Sequence, residues 1–138
     1  MRIMASTAFI LLLGCAPKLP EAAWNYQPAH GAYKASLAYD FADSEGTIFI
    51  GICEGGPSFM MAGGNWQLRA EQFTLTVDGH SWDLPTVQSV HGHYLPVDRQ
   101  GPEEAIASAK RLIVFRVGSW HREIQPAAPL TSFVTDCS

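Results

Sequence analysis

Apolar side chains alternate with polar or small ones along several short stretches of this chain. Tyr33, Ala35, Leu37, Tyr39 and Phe41 take every second position of residues 33–41, so they share one face of a strand. Asp43-Ser44-Glu45-Gly46 then reads as a turn. Thr47 to Cys53 is apolar and rich in β-branched residues, the composition of a central strand. Glu54-Gly55-Gly56-Pro57 breaks it. Ser58 to Ala62 reads as a short strand ended by Gly63-Gly64-Asn65, with Gln67 to Ala70 pairing nearby. Phe73, Leu75 and Val77 alternate before Asp78-Gly79, a strong type I′ hairpin signal, and Trp82 and Leu84 alternate after it. Val87 to Tyr94 reads as a further strand or an irregular crossing. Leu112 to Gly118 is another strand, followed by His121 to Gln125.

Helical periodicity is confined to two places. Pro102 to Arg111 opens with Pro102, Glu103 and Glu104 and closes with Lys110-Arg111, which matches the helix macrodipole at both ends. Leu130, Phe133, Val134 and Cys137 fall at i, i+3, i+4 and i+7 and form one helical face, which aims Cys137 at the core. The pattern predicts an α+β, mainly β domain: an antiparallel sheet, as a small sandwich or partial barrel, with one internal helix and a short C-terminal helix. No internal repeat and no second domain boundary are visible in the 138 residues.

Residues 16–32 fit none of these periods. They contain three prolines and read as an extended tether. Trp24 and Tyr26 are unusual in a pure spacer and are expected to dock its end on the domain. Before the tether, Arg2 is the only charge ahead of Lys18, and an apolar run lies between them. That run is shorter than the roughly 20 residues of a membrane span and has the shape of a signal peptide.

The run ends in Leu12-Leu13-Gly14-Cys15, which resembles the lipobox of bacterial lipoproteins. The resemblance covers residues 1–15. It implies a diacylglyceryl group on the Cys15 sulfur and cleavage after Gly14, so that Cys15 begins the mature chain. Each buried methylene contributes about 0.8 kcal/mol, so two or three acyl chains hold essentially permanently. Residue 16 is Ala; Asp at that position is associated with inner-membrane retention, so the resemblance implies the outer membrane, periplasmic face. The domains expected are a signal peptide over 1–14, a lipidated Cys15 with its tether over 15–32, and a disulfide-closed β-rich domain over 33–138. Removal of 1–14 takes Arg2 away and leaves eight basic against thirteen acidic side chains, a net charge of −5. That balance excludes a basic nucleic-acid binder.

Lipidation of Cys15 leaves Cys53 and Cys137. Export implies an oxidising compartment, where such a pair is expected to bond. No Cys-x-x-Cys is present to suggest redox or metal chemistry instead. The segment ending in Phe133-Val134-x-x-Cys137, after a strand and a proline-rich turn, is similar to the C-termini of short uncharacterised proteobacterial envelope proteins. That similarity lies in the last third of the chain and carries no known active residues.

Other chemistry is sparse. His91-Gly92-His93 on a strand puts two imidazoles on one face about 7 Å apart, a spacing that suits Zn²⁺ or Cu²⁺ with His80 or His121 as a third ligand. Histidines exposed beside Gly92 are the simpler alternative. Asp40, Asp43 and Glu45 near Gly46 fail the spacing of a calcium loop, because the first acidic position is Phe41. The Gly-rich segments launch no long helix and carry no Gly-Lys-Ser/Thr. Gly-x-Ser-x-Gly and His-Glu-x-x-His are both missing. His80, Ser81 and Asp83 read as the polar side of a hairpin strand. Phe59-Met60-Met61 and Trp66 mark a partner surface if they are exposed.

The function expected is therefore a non-enzymatic binding or structural lipoprotein of the cell envelope. Its membrane contact is the covalent lipid, with no other cofactor, and its partner is an envelope protein or the cell wall. Two alternatives stand beside it. One is a periplasmic metal-binding protein that uses His91 and His93. The other is an inhibitor of a lysozyme or protease, although the Ser-Gly-x-x-Tyr segment of membrane-bound lysozyme inhibitors is not found.

Overall fold

The computed structural model describes residues 23–64, 70–89 and 92–138. These residues form ten strands and two helices. The strands are β1 (Ala23–Gln27), β2 (Ser36–Asp40), β3 (Ile48–Cys53), β4 (Pro57–Ala62), β5 (Gln72–Val77), β6 (His80–Pro85), β7 (Val87–Ser89), β8 (Gly92–Val97), β9 (Ile113–Val117) and β10 (Trp120–Ile124). The helices are α1 (Gln100–Ala107) and α2 (Ala128–Cys137). One sheet has the order β1-β2-β3-β4-β8-β7 and the other β10-β9-β5-β6, with every pairing antiparallel. The mainly β, α+β architecture expected from the pattern is the one observed, as two sheets rather than a closed barrel.

Five phenylalanines join the two sheets. Phe133 of α2 meets Phe59 at 5.9 Å, Phe59 stacks on Phe49 at 5.6 Å, Phe49 meets Phe115 at 5.8 Å, and Phe115 stacks on Phe73 at 5.8 Å. All five are buried, and such ring pairs add to the stabilisation from area burial alone. The cross-strand register places Leu37, Phe49, Phe59, Met61, Leu95 and Val97 on the same inner face of the six-stranded sheet. Phe73, Leu75, Leu84, Ile113, Phe115 and Ile124 answer them from the other sheet. A polar clasp closes one end. Arg122 of β10 bonds Asp43 at 3.0 Å and Glu45 at 2.9 Å in the β2–β3 turn, and Trp120 Nε1 donates to Glu45 at 3.0 Å.

Three local readings change. The sheet begins inside the stretch read as tether. Ala23–Gln27 is an edge strand on β2, and the alternating Trp24 and Tyr26 pack against the core. Val87 to Tyr94 is two paired strands, with Val87 opposite Tyr94. β8 then runs on through Pro96, where β7 no longer flanks it and a missing N–H is tolerated. The internal helix stops at Ala107, short of Lys110-Arg111. The reason lies in the hairpin turn. Asp78 and Gly79 both have positive φ (50° and 88°), as type I′ requires, and the turn aims the Asp78 carboxylate at the chain after α1. It accepts the backbone N–H groups of Lys110, Arg111 and Leu112 at 2.8–2.9 Å, which draws those residues out of the helix.

These contacts make the fold acid-sensitive. Bonds from the Lys110 and Leu112 N–H groups hold the Asp78 carboxyl below its ordinary value, with Arg111 adding to them. At Asp43 burial pushes upward, but bonds from Thr47 and Arg122 outweigh it and the net shift is downward. A carboxylate with a lowered folded pKa binds fewer protons folded than unfolded. Its stabilisation is full above the unfolded value near 4 and is lost as pH falls through the folded one. The melting temperature should therefore fall as the pH is lowered below about 4, and Asp78→Asn should shrink that fall. Thermal melts at stepped pH check it; an unaltered acid limb in Asp78→Asn removes Asp78 from the account.

Candidate functional site

Two concavities flank the turn between β3 and β4, where Gly55 and Gly56 take the positive φ values (69° and 131°) that the bend needs. The first, about 360 Å³, lies beside Cys53 and Cys137 and has Lys34 and Asp136 on its walls. Cys53 and Cys137 are paired at disulfide distance, with Cα atoms 5.5 Å apart, inside the range a bridge requires. Asp136 accepts from the Ala29 N–H at 2.8 Å and the Tyr26 hydroxyl at 2.9 Å, and these bonds lower its pKa. The Tyr26 hydroxyl moves the opposite way, raised first by burial, then by its bond to Asp136 and last by that group's charge. The C-terminal helix is thereby fastened to the first strand. The second concavity, about 350 Å³, lies on the other side of the turn against α1. Glu103 reaches it and accepts from Ser58 at 3.3 Å. Burial raises its pKa, opposed by the Ser58 bond and supported by the nearby Asp98 and Glu104 charges. The pair ties α1 to β4.

The candidate residues from sequence are scattered. Cys15, Trp66 and His91 lie outside the described residues. Phe59 is not on a surface. It is 2% exposed, between Phe49 and Phe133, because β4 turns Phe59 and Met61 inward and only Met60 outward. His93 shares the inner side of β8 with Leu95 and Val97, and its Nδ1 is buried without a hydrogen-bond partner. The two histidines expected to complete a metal site belong to the other sheet. His80 packs on Trp82 with ring centroids 4.3 Å apart, and His121 is exposed on β10. Among the described residues, no three His, Cys, Asp or Glu side chains are grouped to hold a metal ion. Ser81 pairs with Thr76 at 2.8 Å and Asp83 with Thr74 at 3.0 Å, so the polar side of the hairpin is a ladder of cross-strand bonds.

One surface was missed from sequence. The register that sends Phe49 and Gly51 inward sends Ile48, Ile50 and Ile52 outward. Met60 lies opposite Ile50 and Pro96 opposite Met60, while Tyr94 lies opposite Ala62. These side chains are half-buried and do not belong to the core cluster or to the residues packed against it. The outward face of the four-stranded sheet contrasts with them. It carries Thr74, Thr76, Ser81, Asp83, Arg116 and Glu123. The signal lay in Thr47 to Cys53, whose apolar residues at both parities fit a strand covered on both faces.

No protein-family model matches the chain, and no curated protein or solved structure is significantly similar to it.

Proposed function

We propose that this protein is a lipid-anchored lipoprotein of the bacterial cell envelope, facing the periplasm from the outer membrane. Its β domain is a non-enzymatic binding or structural module for an envelope protein or the cell wall. The observation that supports this most is the allocation of the three cysteines. Cys53 and Cys137 pair with each other, which leaves Cys15, the residue of the lipobox-like Leu12-Leu13-Gly14-Cys15, for the acyl group. A structural disulfide accords with an exported domain. No helix among the described residues is long and apolar enough to cross a membrane, so in this reading attachment falls to the lipid.

Metabolic labelling with a palmitate analogue, followed by intact-mass measurement, tests the proposal. The mature protein should begin at Cys15, incorporate the label and sediment with membranes. Cys15→Ser should abolish labelling and processing. A Cys15→Ser protein that is still processed and still sediments with membranes overturns the lipoprotein reading.

A further inference from the structure

We infer that the outward face of the six-stranded sheet lies flat on the lipid surface to which the chain is anchored; this rests on the lipoprotein reading above. The first argument is the length of the leash. Sequence alone gives a spacer of seventeen residues, 16–32, which would let the domain float well clear of the membrane. The sheet takes up Ala23–Gln27, so only residues 16–22 separate Cys15 from the first strand. Eight Cα–Cα steps span at most about 29 Å, even fully extended. Six strands at about 4.8 Å spacing make a sheet about 24 Å wide between its outermost strands. Even at full stretch the leash exceeds the sheet's breadth by only about 5 Å, and it joins an edge strand of that same sheet.

The second argument is what the face is made of. Ile48, Ile50, Ile52, Met60, Tyr94 and Pro96 form its centre, with Ala62 between Ile48 and Tyr94 and Ala38 beside Ile50. Its paired strand positions include no Lys or Arg; the carboxylates at it stand at the margins, Asp40 on β2 and Glu103 of α1, which accepts from Ser58. Lipid-surface contact through such a face scales with apolar area and needs no anionic headgroup. A polybasic patch would act oppositely, and the acidic mature chain has none to offer. The polar outward face of the other sheet then points away from the bilayer, where an envelope partner can reach it.

Hydroxyl-radical footprinting of the lipidated protein in phosphatidylethanolamine–phosphatidylcholine vesicles tests the orientation. The reference is the same mature chain with Cys15→Ser, free in solution, and flotation reports anchoring separately. Labelling of Ile50, Met60 and Tyr94 should fall several-fold in the anchored protein, and 0.5 M salt should leave the fall unchanged. Labelling of the opposite face should not change. An anchored Ile50→Glu, Met60→Glu protein should still float yet lose the protection, and its circular dichroism should match that of the parent. Flotation with no protection overturns the inference and leaves the lipoprotein reading intact. Protection that also appears in the free chain and grows with its concentration assigns the face to a second copy and overturns it too. Failure to float overturns the lipoprotein reading and the inference together.

Discussion

Replacing both Cys53 and Cys137 by Ala should lower the stability of the domain by about 4–5 kcal/mol and its melting temperature by on the order of 20 °C. The pair is separated by 84 residues, so it closes one long loop that runs from the end of β3 to the end of α2. On the chain-entropy account a loop of that length is costly to close in the unfolded state, and the bridge removes that cost in advance. Its position adds to the consequence. Cys53 ends β3 and Cys137 ends α2, the helix that supplies Phe133 to the core. Without the bridge, α2 is held by its apolar face and by the bonds of Asp136 to Ala29 and Tyr26. Fraying from the C-terminus should therefore precede global unfolding, visible as early loss of amide protection in 128–137. The thermal melt of the parent protein with and without reductant, set beside that of the double variant, decides it. Reductant and double variant should agree; a shift of only a degree or two in both would show that the bridge constrains little.

How much of this molecule could be read from its sequence depends on the range of the interactions involved. The Asp78-Gly79 hairpin was legible because a type I′ turn is decided by two adjacent residues with positive φ. The C-terminal helix was legible because Leu130, Phe133, Val134 and Cys137 repeat at helical spacing, and the structure buries Leu130 and Phe133 fully. Distant contacts were not legible. Nothing within Pro102 to Arg111 foretells that a carboxylate more than thirty residues upstream will capture its last N–H groups and end the helix. Trp24 and Tyr26 alternate over too short a stretch, among prolines, to announce an edge strand. Phe59-Met60-Met61 hides its alternation because inward and outward positions are all apolar. That same blindness concealed the outward face, since a strand apolar at both parities looks alike whether its second face meets protein or something else. For the candidate site, the cysteine pairing was accessible and the distribution of histidines between two sheets was not.

Phe133→Ala should cost about 3–5 kcal/mol, the range for removing a fully buried ring. The side chain is 0% exposed and stands at one end of the chain of five phenylalanines, against Phe59. Its other neighbour gives the more searching test. β3 carries Gly51 where the strand passes beneath the ring, and a Cβ added there would lie 2.9 Å from Phe133 Cε2 and 3.2 Å from Leu37 Cβ. The glycine is therefore set by close approach, not by backbone conformation. Gly51→Ala should cost about 1–3 kcal/mol through overpacking, with the ring forced to move. Phe133→Leu leaves part of the space that the alanine methyl needs. The two substitutions should compensate, so that the double variant is more stable than the sum of the single losses predicts. Urea titrations of the four proteins, with equal m-values as the check on two-state behaviour, measure that coupling. Strict additivity would mean that Gly51 and Phe133 do not share one packing site, and that the glycine at the centre of β3 has some other cause.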